Sequence, residues 1–167
     1  MPTTWWECEP RRRGRDLREV GERFPELAWV SEGAGGWFGR LPVWPFDRPE
    51  PPGLDELTSG NGLVVRLEYG HAYPAAVPAI FPVEPEPGFE ARTEQRWHVL
   101  GDGSLCLIRD PSQWSGRESV VELLLKAAGW RIEHALMTTG VLMSMSLNGI
   151  VTDSGYDHLI VGAVGSG

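Results

Sequence analysis

The residues best equipped for chemistry lie between positions 96 and 114, in RWHVLGDGSLCLIRDPSQW, where Cys106 sits between the turn-forming GDGS and the polar run RDPSQ. A thiol just past a tight turn is placed for access, and as thiolate it is a nucleophile. His98 stands eight residues upstream, near enough across the turn to act as a base or as a hydrogen-bond donor to an oxyanion. A cysteine is also among the most buried residue types and commonly acts as a small hydrophobe, while a histidine is readily satisfied by a loop carbonyl. Local chemistry leaves the two readings balanced. Asp102, within GDGS, favours the turn, and Asp110 follows the cysteine closely. Cys106, His98 and Cys8 lack any zinc-ligand spacing, so no metal or other cofactor is expected. With no C-x-x-C pair, a thiol-redox role is the weaker chemistry.

These residues need elements to hold them. GRDLREVGERF spaces Leu17, Val20 and Phe24 for one face of a short helix ending near Pro25. LAWVSEGAGGWFGRLPVW reads as two strands joined by a turn over 32–36, and LVVRLEY as a third. The prolines of YPAAVPAIFPVEP make it an edge strand, and DRPEPPGLDELTSGNG between them reads as an irregular connection. Ser115 with Glu118 forms a capping-box pattern that predicts a helix starting just after Trp114, its stripe made by Val121, Leu124, Leu125 and Ala128. A further helical stretch is predicted through RIEHALMTTGVLMSMSL, broken at Gly129 or Gly140, and the glycine-rich VGAVGSG is expected to be mobile at its end. Helix, strand meander, cysteine segment and helices in that order predict an α+β fold with an antiparallel sheet of about four strands.

Composition narrows the field of partners. At 167 residues and 41% hydrophobic, the chain suits one domain over 1–167. A formal charge of -8 offers no general field for a phosphate backbone, and the one basic cluster, Arg11 to Arg13 with Arg15, lies beside the predicted helix start. Nucleic acid is therefore not an expected partner. ALMTTGVLMSMSLNGIV is too short and too polar for a bilayer span, so no membrane is expected either. MPTTWWECEPRRR lacks the apolar core of a signal peptide, which points to a reducing cytoplasm. Lys126 is the only lysine, beside fourteen arginines. Codon usage in a GC-rich genome explains this most simply; a chain that carries a reactive acyl thioester would also profit from few lysines.

The cysteine segment resembles the active-site region of ubiquitin-conjugating enzymes, whose HPN, NGSICL and QWSP signature is met here by RWH, DGSLCL and QWSG. YPAAVPAIF resembles the family's YPFKPPKV, and the element order agrees over roughly residues 14–136. The resemblance implies a UBC-like fold of bacterial type, from a conjugation or antiphage operon. It implies that Cys106 accepts the C-terminal glycine of a ubiquitin-like modifier from an activating enzyme as a thioester and passes it to a protein target. Trp114 falls at the family's tryptophan, expected to pack beneath the cysteine loop. His98 falls where the family has the asparagine of HPN, with Arg96 and Trp97 replacing its His and Pro. Ile108, Arg109 and Thr138 stand where the family supplies an acid, leaving Asp110, Glu133 and His134 as substitutes. A non-catalytic module that binds a modifier or peptide through the same fold is the alternative, and the retained cysteine argues against it.

Overall fold

The computed structural model describes residues 3–146 and 149–165. After a single turn, α1 (Trp5–Cys8), comes α2 (Pro10–Arg23), which starts earlier than the apolar spacing predicts because Pro10 at its first position is pre-set for a helix and needs no donor. The arginine cluster thus lies inside the first turns of α2, and Arg12 is buried. Its guanidinium donates to the Tyr73 hydroxyl and to the carbonyls of Gly116 and Glu118, and pairs with Asp16 at 3.1 Å. Asp16 in turn accepts the hydroxyls of Tyr69 and Tyr73, and Trp37 donates to Tyr69. A buried charge pair is tolerated only when its remaining valences are met. Here two tyrosines and two carbonyls meet all but those of Asp16 Oδ1, which keeps only its ion contact with Arg12.

The sheet is a meander of β1 (Ala28–Val30), β2 (Gly36–Arg40), β3 (Val64–Glu68) and β4 (Ala79–Glu84), each antiparallel to the next. Alternation sets its register: Val65, Leu67, Ile80 and Trp37 turn into the core, while Phe38, Arg66 and Phe81 are aligned across the outer face. Pro82 is accommodated because β4 is an edge strand. The α+β order and the four antiparallel strands are therefore as the sequence predicts.

Three helical expectations are corrected. The connection taken as irregular contains α3 (Leu54–Thr58), whose Leu54 and Thr58 are buried one turn apart. The helix expected after Trp114 begins later, as α4 (Val120–Thr138), capped by Ser119, whose hydroxyl accepts from Val121 N–H at 3.2 Å. Ser115 and Glu118 do bond, but they close a loop instead of starting a helix: the Glu118 carboxylate accepts from the amides of Ser115 and Gly116 and from the Ser115 hydroxyl. Gly129 does not break α4. The helix stops at Gly140, whose φ of 79° permits amide bonds from Gly140 to Met137 and from Val141 to Leu136. Residues 141–146 are irregular, so the second helical stretch ends at Thr138. The glycine-rich tail enters α5 (Asp157–Gly165), and its last two residues lie outside the described ones.

α4 is apolar on most sides because it lies against α2, α3 and α5. Its Leu124, Ile132 and Leu136 join Phe24, Leu54, Leu67, Ile80 and Ile160 in one hydrophobic cluster. No helix among the described residues is long and apolar enough to cross a membrane.

Candidate active site around Cys106

The cysteine is carried by a small hairpin. Val99 and Leu105 pair antiparallel, Leu100 N–H donates to Ser104 O at 2.8 Å, and Leu105 N–H donates to Ile80 O at 2.8 Å, which fastens the hairpin to β4. Asp102 makes the bend by accepting both the amide and the hydroxyl of Ser104, at 2.9 and 2.6 Å. Those bonds hold its carboxyl below the ordinary range. Gly103 takes the left-handed conformation, φ 91°, that the bend requires.

Cys106 leaves this hairpin half-buried, with a free thiol 3.8 Å from the Ile108 carbonyl. The other thiol, Cys8, is exposed on α1 and lines a different cleft of about 440 Å³ beside Tyr73 and Ser115. Cys106 is thus only half-buried, and its thiol is not bonded to its counterpart. It borders two clefts. One, about 330 Å³, is walled mainly by apolar side chains that include Val77, Ile80, Leu105 and Leu123. The other, about 280 Å³, mixes apolar walls with polar and charged groups and is shared with His98, Lys126, Trp130, Glu133 and Ser146.

His98 is the residue most directly tied to Cys106. Cys106 N–H donates to the His98 carbonyl at 2.8 Å, and His98 N–H donates to Gln95 O at 3.0 Å, which together hold His98 in the left-handed region at φ 51°. Burial, helped by the charge of Arg109, pushes its imidazole below the usual range, so it is neutral at pH 7 and offers one donor and one acceptor. The preceding residues are pinned from behind: Trp130 Nε1 donates to Trp97 O at 2.9 Å, and Met145 N–H donates to Arg96 O at 3.1 Å.

One face of α4 forms the opposite wall. Lys126, Trp130 and Glu133 are spaced i, i+4 and i+7, so they stand in a row along it. Glu133 is buried, and its Oε1 accepts from both the amide and the hydroxyl of Ser146. Burial pushes this carboxyl up, against the opposing effect of the Ser146 bonds. Lys126 Nζ donates to Leu107 O, one residue beyond the thiol, at 3.1 Å.

Of the residues singled out from the sequence, Cys106, His98 and Glu133 come together. Asp102 borders the apolar cleft, but its carboxylate is spent on Ser104. Asp110 lines neither cleft at Cys106; it caps the turn Pro111–Gln113 by accepting from Ser112 N–H at 2.9 Å. His134 stacks on Trp130 with ring centroids 4.7 Å apart and belongs to the packing behind the cleft. Trp114 donates its Nε1 to Pro74 O at 2.9 Å, and its ring packs near Tyr73 and under Arg12, bracing the segment before β4. The sequence reading gave Lys126 no place in the site, although its spacing to Glu133 was the signal that they share a helix face. No cluster able to hold a metal occurs among the described residues. Protein-family models, curated proteins and solved structures give no match to this chain.

Proposed function

We propose that this protein is a ubiquitin-conjugating-enzyme-like transferase with a UBC-like fold, working in a bacterial conjugation pathway of the antiphage kind. Cys106 takes the C-terminal glycine of a ubiquitin-like modifier from an activating enzyme and delivers it to a protein target. The observation that carries the reading is the free thiol of half-buried Cys106 at the meeting of two clefts, one of them holding charged side chains, with His98 bonded to Cys106 through the backbone. The DGSLCL hairpin and the QWSG segment support it, as does the order of helix, meander, cysteine segment and helices.

In this mechanism the thiol loses its proton and attacks the thioester carbonyl on the activating enzyme. A carbon–sulfur bond forms to Cys106 as the old one breaks, and the departing thiolate is reprotonated. A target amine then attacks the new thioester. The carbon–nitrogen bond forms, Cys106 leaves as thiolate, and the amine's proton passes to the Glu133 carboxylate. Transthiolation between thiols needs no strongly activated nucleophile, so an unassisted thiol is adequate.

Reconstitution with the activating enzyme and modifier encoded beside this protein, plus ATP, tests the reading. The expected product is a covalent adduct removed by reductant, converted in Cys106→Ser to one that reductant leaves intact and absent from Cys106→Ala. The same reducible adduct on Cys106→Ser would defeat the proposal, and full modifier binding by Cys106→Ala without any wild-type adduct would favour a non-catalytic module.

A further inference from the structure

We infer that Lys126, the chain's single lysine, is a catalytic residue that stabilises the oxyanion formed when a thioester carbonyl is attacked at Cys106; the inference rests on the acyl-transfer reading of that site. Lys126 lines the cleft that His98 and Cys106 share, and donates one hydrogen from α4 to the carbonyl of Leu107, the neighbour of the nucleophile, at 3.1 Å. An ammonium carries three donors. One is engaged by Leu107, and among the described residues two remain for an oxygen in the cleft that Cys106 also lines.

The neighbours leave this role to fill. His98 is neutral and brings one donor without charge, and Gln113, also lining the cleft, turns its carbonyl oxygen to the amides of Arg109 and Asp110. Arg109 lines the cleft but is exposed. Lys126 is the partly buried cation of the cleft, and a cation held in a partly dry site meets developing negative charge without reorganising at the moment of reaction. When the thiolate attacks, the carbonyl π electrons move to oxygen, and the ammonium donates to that oxyanion without giving up its proton. Collapse of the intermediate returns the electrons and expels the leaving thiolate, so Lys126 is unchanged over the cycle.

The test uses a small probe, the mercaptoethanesulfonate thioester of acetyl-glycyl-glycine, on the full chain carrying Cys8→Ser so that Cys106 is the only thiol. Acyl transfer to Cys106 is followed by mass, and alkylation of the same thiol by iodoacetamide, which forms no oxyanion, is timed in parallel. Lys126→Met is expected to slow acyl transfer by about 100-fold while alkylation stays within about twofold, and Lys126→Arg, which keeps charge and donors, to recover most of the rate. Equal loss in both reactions would assign Lys126 to thiol ionisation or to packing and overturn the inference. So would an unchanged acyl-transfer rate in Lys126→Met, or a reductant-resistant acyl group on Lys126 itself, which would make it a nucleophile. If the wild-type thiol alkylates but never takes the acyl group, the acyl-transfer reading fails with it. Should Lys126→Met not fold, the split between the two reactions is read on Lys126→Gln.

Discussion

Cys106 and His98 are joined through the main chain: the Cys106 amide donates to the His98 carbonyl at 2.8 Å while His98 is held at φ 51°. The position of the thiol therefore depends on a left-handed residue eight places earlier, and the side chain at 98 is chosen for backbone as well as for chemistry. Asparagine and histidine enter this region several-fold more readily than other side chains, and β-branched ones scarcely at all.

His98→Asn is accordingly expected to fold with nearly unchanged stability and to keep acyl transfer to Cys106. His98→Val is expected to lose about 1–3 kcal/mol and to alkylate at an altered rate as the Cys106 backbone bond shifts. Urea unfolding of both variants checks the first part and iodoacetamide kinetics the second.

Glu133 carries the proton in the proposed transfer to an amine, and burial raises its carboxyl above the ordinary value of 4.5. Only its ionised form is a base, so discharge of the acylated enzyme to free lysine should fall as pH drops through this raised pKa. The acid limb should disappear in Glu133→Gln, with the discharge rate at pH 7.5 lower by about 10²–10⁴-fold, the usual worth of a positioned base. Formation of the Cys106 adduct should survive the substitution.

Arg12 and Asp16 form a buried pair, with Arg12 also bonded to two loop carbonyls ahead of α4. Arg12→Met leaves Asp16 buried without its cation and is expected to cost about 3–5 kcal/mol. Adding Asp16→Leu removes the orphaned charge and should restore much of that loss. A double-mutant cycle by urea unfolding gives both numbers.

His134 is buried against Trp130, and burial pushes its imidazole down to about 4 from 6.5. The folded state holds it neutral while the unfolded chain protonates near 6.5, so its contribution is complete above that pH and declines as pH falls toward about 4. The loss is on the order of 3 kcal/mol over that window. His134→Phe keeps an aromatic partner for Trp130, and its urea midpoint should change less between pH 7 and pH 5 than the wild-type midpoint does.

The third strand was legible because it alternates: Val65 and Leu67 face inward while Arg66 and Glu68 face out. The turn before the thiol was legible too, since Asp102 and Gly103 act through local chemistry. The start of α4 was not, because Ser115 and Glu118 satisfy one another in a loop that Gly116, at φ 93°, bends away from a helix. α3 was hidden by the prolines and glycines flanking LDELT. The cleft shared by Cys106, His98 and Lys126 is a tertiary fact. The spacing of Lys126, Trp130 and Glu133 places them on one face, but which face meets a cysteine hairpin depends on how Trp130 docks on the Trp97 carbonyl. The partner of Trp114 was hidden for the same reason, since Pro74 lies forty residues away.

The most direct test of the central claim is peptide mapping after reaction with the activating enzyme, modifier and ATP. Trypsin releases residues 97–109, which contain His98 and Cys106 and no other thiol. The expected result is a modifier-derived acyl group on this peptide that hydroxylamine removes and that forms in step with ATP turnover. An acyl group found only on Cys8, or a protein that leaves the reaction with an unmodified 97–109 peptide, would contradict the account.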